Sequence, residues 1–245
     1  RYDYVEQLVS PELAWEWLRR NEAYQRDYAD VVATAGVAQP LNEAAQQRWV
    51  FDFPVRPSLD AKKAELFWIP KEDTGVVILI ATPAVLSSDV GVLPTEVASV
   101  ERVDEHGHHF HHPLANGQHL TLLRLADVPS DQSLVAVVPL DLDGFGRIEA
   151  VTRLLSALHG RSVPPDTRLT RQQLQRARRM LQAVDGHMSG ASHRDIAEVL
   201  FGARRLADEP WKTSSHRFAV MNLIKGGLAM ISGDYRRLLS HRRRR

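Results

Sequence analysis

The chain has no cysteine, so it forms no disulfide and offers no thiolate to a zinc ion. This fits a reducing cytoplasm, the compartment expected for the protein. Long apolar runs are missing as well. The longest, Val76 to Ala81, falls far short of the roughly 20 residues needed to cross a bilayer, so a soluble protein without membrane contact is expected. Catalytic signatures are equally scarce: there is no G-x-S-x-G elbow, no phosphate-binding glycine loop and no H-E-x-x-H pair. Gly144-x-Gly146 lacks the third glycine of a dinucleotide loop. The reading is a protein that is not an enzyme and needs no cofactor. The chain begins at Arg1, which leaves open further residues upstream, a removed targeting segment among them.

What is present is ordinary in bulk and uneven in charge. With 245 residues, 44% hydrophobic and 25% charged, the chain can bury a sizeable core, and two or three small domains are expected. The formal net charge of +1 conceals a division. From Asp166 onward there are 17 Lys+Arg against 7 Asp+Glu, whereas residues 1–165 hold 14 against 23. Either a basic module meets an anionic polymer, or the two parts neutralise each other at a mutual interface.

The pattern along the chain predicts an α+β protein with a helical N-terminal region (1–48), a small mixed α/β middle region (49–160) and a C-terminal all-α helix-turn-helix variant with a basic tail (166–245). Ser10-Pro11-Glu12 opens a helix, with Ser10 as its cap. Leu13, Trp17, Tyr24, Tyr28 and Val31 form one stripe, and Asn21-Glu22 can restart the helix with a bend. LFWIP, GVVILIAT, HLTLLRLA and SLVAVVPL read as strands. Asn116-Gly117 predicts a type I′ hairpin joining residues 108–114 to 118–125. Gly144 to His159 carries Ile148, Val151, Leu154, Leu155 and Leu158 at helical spacing, as a helix over one sheet face. HGRSVPPDTRLT reads as a linker.

Three helices follow. Thr170 caps the first, whose Leu174, Ala177, Leu181 and Val184 share a face opposite most of Arg171, Arg176, Arg178 and Arg179, and Gly186 is expected to end it. Ser192 and Asp195 box the start of the second; Ile196, Val199 and Leu200 are its expected buried face, with Gly202 as a left-handed cap. The third runs from about Ser214 to Ile231, with Phe218, Met221, Ile224, Leu228 and Ile231 assigned inward and Ser215, Ala219, Asn222 and Gly226 outward. Gly226-Gly227 imply a kink or a close approach by a partner. Gly233 ends this helix, after which Tyr235, Leu238 and Leu239 dock on the core. A short braced helix before a longer one fits a helix-turn-helix.

Candidate DNA contacts follow from that geometry. Ser215, Asn222 and Lys225 lie on the outer face of the third helix, where asparagine can pair with adenine. Lys212 and Arg217 near its start suit phosphates, as do Arg194, Arg204 and Arg205 around the second helix. Arg194 has an alternative local partner in Glu198. Arg242 to Arg245 read as an electrostatic arm. The histidine-rich stretch from His106 to His119 is the competing signal. His109 and His111 would point the same way on a strand and the hairpin would bring His119 near, but the spacing is no metal signature, so an exposed hairpin and no metal are expected.

LHGRSVPPDTRLT, MLQAVDGHMSGASHRDIAEVLFG and GDYRRLL resemble the helix-turn-helix variant domain of transcription regulators carried by proteobacterial integrative and conjugative elements. LAWEWLRRNEAYQRDY resembles the transcriptional regulator-like domain that precedes it in the activator members. The resemblance implies an activator of excision and conjugative transfer that binds double-stranded DNA. Single-domain relatives act instead as antiactivators on another regulator, which is the alternative reading. Two features depart from the pattern: GARRLADEPWKTS is a long connection containing Pro210, and the third helix holds only Arg217 and Lys225 as fixed positive charges. The acidic N-terminal part would contact RNA polymerase or another regulator.

Overall fold

The computed structural model describes residues 2–36, 39–86, 100–129, 132–202 and 210–240. Among them lie seven α-helices and a five-stranded mixed sheet: α1 (Ser10–Leu18), α2 (Glu22–Ala35), α3 (Glu43–Trp49), β1 (Val77–Ala81), β2 (Glu101–Val103), β3 (Gly107–Pro113), β4 (His119–Leu125), β5 (Leu134–Val137), α4 (Gly144–Leu158), α5 (Arg171–Met188), α6 (His193–Phe201) and α7 (Ser215–Ser232). Short 3-10 turns cover Asp3–Gln7 and Asp234–Leu238.

The helix at the start breaks where Asn21 allows it. The Asn21 Oδ1 accepts from the amides of Ala23 and Tyr24 at 2.9 and 3.1 Å, while its Nδ2 donates to Ile231 O. The cap of α1 is not Ser10. Val9 holds that position, its amide donates to Glu12, and Ser10 enters the first turn and donates its hydroxyl to Leu238 O. A single apolar stripe on α1 was too narrow an expectation. Leu13, Ala14, Trp15, Glu16, Trp17 and Leu18 are all buried, because α1 has chain on every side.

That enclosure comes from both ends of the sequence. Val5, Trp15, Trp17, Phe51 and Trp68 share one core with Leu181, Val184, Ile224, Tyr235 and Leu239. The Arg20 guanidinium grips Asp185 through Nε and Nη2 at 2.7 and 2.8 Å, Tyr2 donates to the same carboxylate, and Arg178 pairs with Asp3 and Glu6. The 159–170 stretch is tied down too. Arg168 bonds Asp73 and Asp166 and donates to Leu239 O. Mutual neutralisation of the two oppositely charged parts is therefore real at Arg168 and Arg178, whereas Arg20–Asp185 joins the parts with the reverse polarity.

A second core lies between the sheet and α4. The strand order is β2-β3-β4-β1-β5, with β1 and β4 parallel and every other neighbour antiparallel. Val77, Leu79, Leu120 and Leu122 meet Ala150 and Leu154 of α4. Ile148, Leu155 and Leu158, expected on that face, are exposed, because the helix turns Arg147, Ala150 and Leu154 inward and Arg147 donates to Val76 O. LFWIP does not join the sheet. Trp68 makes a single bridge to Phe51, and Asp52 N and Ile69 N bond Phe67 O and Val50 O, so this segment closes an arch with residues 50–52. The hairpin has the expected partners, Gly107 to Pro113 against Leu125 to His119. Its turn differs from type I′. Only Gly117 has positive φ (78°), Gly117 N bonds Leu114 O and Leu114 N bonds Gln118 O, which is a three-residue loop with glycine at its left-handed position.

Candidate nucleic-acid interface

The helices α5, α6 and α7 pack pairwise on one another. The start of α5 is boxed by Thr170 and Gln173, and the start of α6 by Ser192 and Asp195, whose carboxyl is held below its usual range by its bonds to Ser192. Gly186 does not end α5, which continues to Met188 before Gly190 (φ 83°) turns the chain. A Cβ at Gly186 would lie 3.1 Å from Ile196 Cγ1, so the glycine serves the approach of α6. On α6, Ile196 and Ala197 are buried and Leu200 half-buried, while Val199 is exposed, contrary to its expected place inside. Gly202 has positive φ (89°), but its ψ of 135° leads into extended chain and not a left-handed turn.

The inner face of α7 is Val220, Leu223, Ile224, Gly227 and Ile231. This corrects the expected stripe: Phe218, Met221 and Leu228 are exposed, and only Ile224 and Ile231 were rightly placed inward. Val220, Leu223, Ile224, Gly227 and Ile231 fall at steps of three and four and are centred on one line, whereas the expected set lies about a quarter turn away. The implied close approach at the glycine pair is internal, since Gly227 faces Val184 and Trp17.

With the helix so rotated, Ser215, Asn222 and Lys225 are exposed on a common face, as expected, and Phe218 lies among them. The side chains of Asn222 and Lys225 bond nothing among the described residues. Ser214 caps the helix, its hydroxyl accepting from His216 N. Lys212 is exposed just before it, and Arg217 donates to Lys212 O at 3.1 Å. Arg194 takes its local alternative, a 3.4 Å pair with Glu198. Arg204, Arg205 and Arg242 to Arg245 lie outside the described residues. Arg171, Arg176 and Arg179, expected outward but not counted among the candidate DNA contacts, are exposed along α5 without an ion pair among the described residues. The outward half of an amphipathic helix was the signal for them.

The histidines are not on an exposed hairpin. His109 and His111 do point the same way and are buried, because Phe53 and Phe67 cover that face of the sheet. His111 stacks on His119 with ring centroids 4.2 Å apart and its Nε2 lies 3.2 Å from Leu66 O; burial pushes it down to about 3, so it stays neutral. His109 keeps apart from that pair. Its ring lies between Asp104 and Asp52, and these three form the one group among the described residues with metal-ligand spacing. Burial raises the Asp52 carboxyl to about 6 against the pull of His109.

Two family matches bear on this arrangement. Residues 137–240, which include α4 to α7, match the family described as "T6SS, Transcription factor, DNA binding domain". Residues 1–54 match the "Proteobacterial transcriptional regulator-like domain". Together they support a DNA-binding transcriptional regulator. No curated protein matches the chain. Residues 55–136, with most of the sheet, fall in neither match. No helix among the described residues is long and apolar enough to cross a membrane.

Proposed function

We propose that the chain is a cytoplasmic transcriptional activator that reads double-stranded DNA with α7 and governs excision and conjugative-transfer genes of a mobile element. The observation that carries the DNA reading is the outer face of α7: an unbonded asparagine and lysine flank an exposed Phe218, with Lys212 at the helix start. Asn222 suits the N6 and N7 edge of adenine, and Phe218 suits a thymine methyl. Lys212, Lys225 and the α5 arginines suit phosphates, as do Arg204 and Arg205. The helix-turn-helix reading makes α6 the brace. The promoter role of the acidic N-terminal part rests on the charge division and on the regulator-like match, and its partner would be RNA polymerase or another regulator.

The test is fluorescence anisotropy of the full chain with promoter-derived and scrambled duplexes across a salt series. Affinity is expected to fall steeply with salt while the promoter preference persists. Asn222→Ala should cost about 1–3 kcal/mol on the preferred site and little on the scrambled one, and Lys225→Ala should weaken both alike. Equal affinity for the two duplexes would overturn the reading.

A second reading has its own observation. Phe218, Met221 and Leu228 of α7 and Val199 of α6 are exposed apolar side chains, which favours an antiactivator-like module whose α7 lies in a protein groove. There, Phe218→Ser abolishes partner binding and removal of Arg242 to Arg245 does not.

A further inference from the structure

Asp52, Asp104 and His109 come from three places that have no proximity in sequence. Asp52 follows the Phe51–Trp68 bridge, and its backbone is pinned by bonds from its amide to Phe67 O and from Leu41 N to its carbonyl. Asp104 follows β2 directly, where its Oδ1 accepts from His106 N and Gly107 N at 2.9 and 3.1 Å, which aims Oδ2 inward. His109 sits on β3, held edge-on between Phe53 and Phe67. The three side chains are each 1% exposed.

Polar groups so deeply buried are ordinarily hydrogen-bonded, and the Asp52 carboxylate has no such bond. Asp104 Oδ2 lies 3.0 Å from His109 Nε2, and Asp52 Oδ2 lies 3.6 Å from Nδ1. The first contact is an ion pair that holds the Asp104 carboxyl below its usual range, whereas the second is too long for a hydrogen bond and leaves both oxygens of Asp52 and Nδ1 of His109 without a bonding partner. One ligand atom from each residue lies within 4.8 Å of the other two, so small side-chain shifts bring all three to the bond lengths of about 2.0–2.2 Å that a metal requires. Two buried carboxylates beside one imidazole also carry an uncompensated negative charge when that imidazole is neutral.

We propose that Asp52, Asp104 and His109 bind one divalent transition-metal ion of the zinc or manganese class. The donor set is two carboxylate oxygens and one imidazole nitrogen, without thiolate, which suits an ion that accepts mixed N and O ligands. The ion offsets the two carboxylate charges and takes one oxygen from each carboxylate and a single nitrogen of the His109 ring. Asp52 also lines a cavity of about 600 Å3 shared with His106 and Asp127, the flank from which an ion enters. Its position gives it a structural consequence. Asp52 belongs to the arch in the helical core, Asp104 and His109 to the β2–β3 edge of the sheet, so the ion ties the two together.

The experiment uses the full, tag-free chain dialysed against a chelator and then titrated with zinc chloride or manganese chloride, with stoichiometry by elemental analysis. One ion per chain is expected, with a higher unfolding temperature on loading. Asp52→Asn and Asp104→Asn should each weaken binding by about 100-fold, whereas His119→Ala and His108→Ala leave it unchanged. Should those variants fail to fold, cobalt(II) added to the unaltered chain serves as the probe: the visible spectrum of an ion bound through nitrogen and oxygen is expected at one equivalent. No stoichiometric uptake, or several weak ions that Asp52→Asn does not disturb, would overturn the proposal.

Discussion

Glu16→Ala is expected to destabilise the protein by about 3–5 kcal/mol, because it removes the centre of a buried charge cluster and leaves its partners inside. Glu16 is fully buried, receives Arg19 and Arg20 at 2.8 Å each, and accepts from Ala61 N at 2.9 Å. Without it, Arg20 keeps Asp185 as a partner, but Arg19 keeps only Pro57 O and the Ala61 amide loses its acceptor. Urea denaturation at neutral pH measures the loss. The same cluster sets an acid limit. Burial pushes the Glu16 carboxyl upward, but the bonds from Arg20, Arg19 and Ala61 outweigh it and hold the group below its ordinary value; Asp185 is lowered in the same way by Arg20 and Tyr2. A carboxyl whose folded value is depressed adds stability above its unfolded value and loses it as pH falls through the folded one. The urea midpoint should therefore decline from about pH 4.5 downward. In Glu16→Gln that decline should be shallower, and an unchanged slope would show that other carboxyls control the acid transition.

How far the sequence discloses this structure depends on the range of the interaction involved. Several helix starts were legible because a side chain caps its own helix, as Asn21, Thr170, Ser192 and Ser214 do within three residues of themselves, but Asn42 caps α3 in the same way and was missed. The β3–β4 pairing was legible because an asparagine and a glycine announce a turn, although its exact type depends on Asn116 keeping negative φ. The inward face of α7 was not. Phe218, Met221 and Leu228 compete with Val220 and Leu223 for the core, and hydropathy alone ranks Gly227 last, although the packing of α5 makes it indispensable. The candidate DNA face was nonetheless read in part, since Ser215, Asn222 and Lys225 are polar on a mostly apolar helix. The Asp52, Asp104 and His109 cluster has no local trace at all: 52 positions separate Asp52 from Asp104, and only the fold of the 51–68 arch onto β3 joins them. For the same reason the mingling of the two ends in one core, through Trp17 with Val184 and Arg20 with Asp185, lay beyond periodicity.

The second large effect is expected at Gly227. Glycine within a helix costs about 1 kcal/mol relative to alanine, so propensity alone predicts that Gly227→Ala stabilises α7. Packing decides otherwise. A Cβ at this position would lie 2.2 Å from Val184 Cγ2, with Met180 O and Trp17 Cζ3 at 3.5 Å. Val184 and Trp17 are fully buried and cannot swing into solvent, so α7 must move away from α5. Overpacking of this kind costs about 1–3 kcal/mol and occasionally more. A net loss of about 2 kcal/mol is expected for Gly227→Ala, and about 3 kcal/mol for Gly227→Val, whose branched side chain also suits a helix poorly. The neighbouring glycine is the control. At Gly226 the nearest atom to a new Cβ is Met180 Cε at 3.1 Å, the free end of a flexible side chain, so Gly226→Ala should be neutral or stabilising by up to about 1 kcal/mol. Thermal unfolding of the three variants separates the two contributions. Because α7 carries Asn222 and Lys225 on the side opposite Gly227, a shift off α5 also displaces the proposed reading face. Gly227→Ala should then lose promoter preference at temperatures where circular dichroism still shows it folded, while Gly226→Ala keeps it.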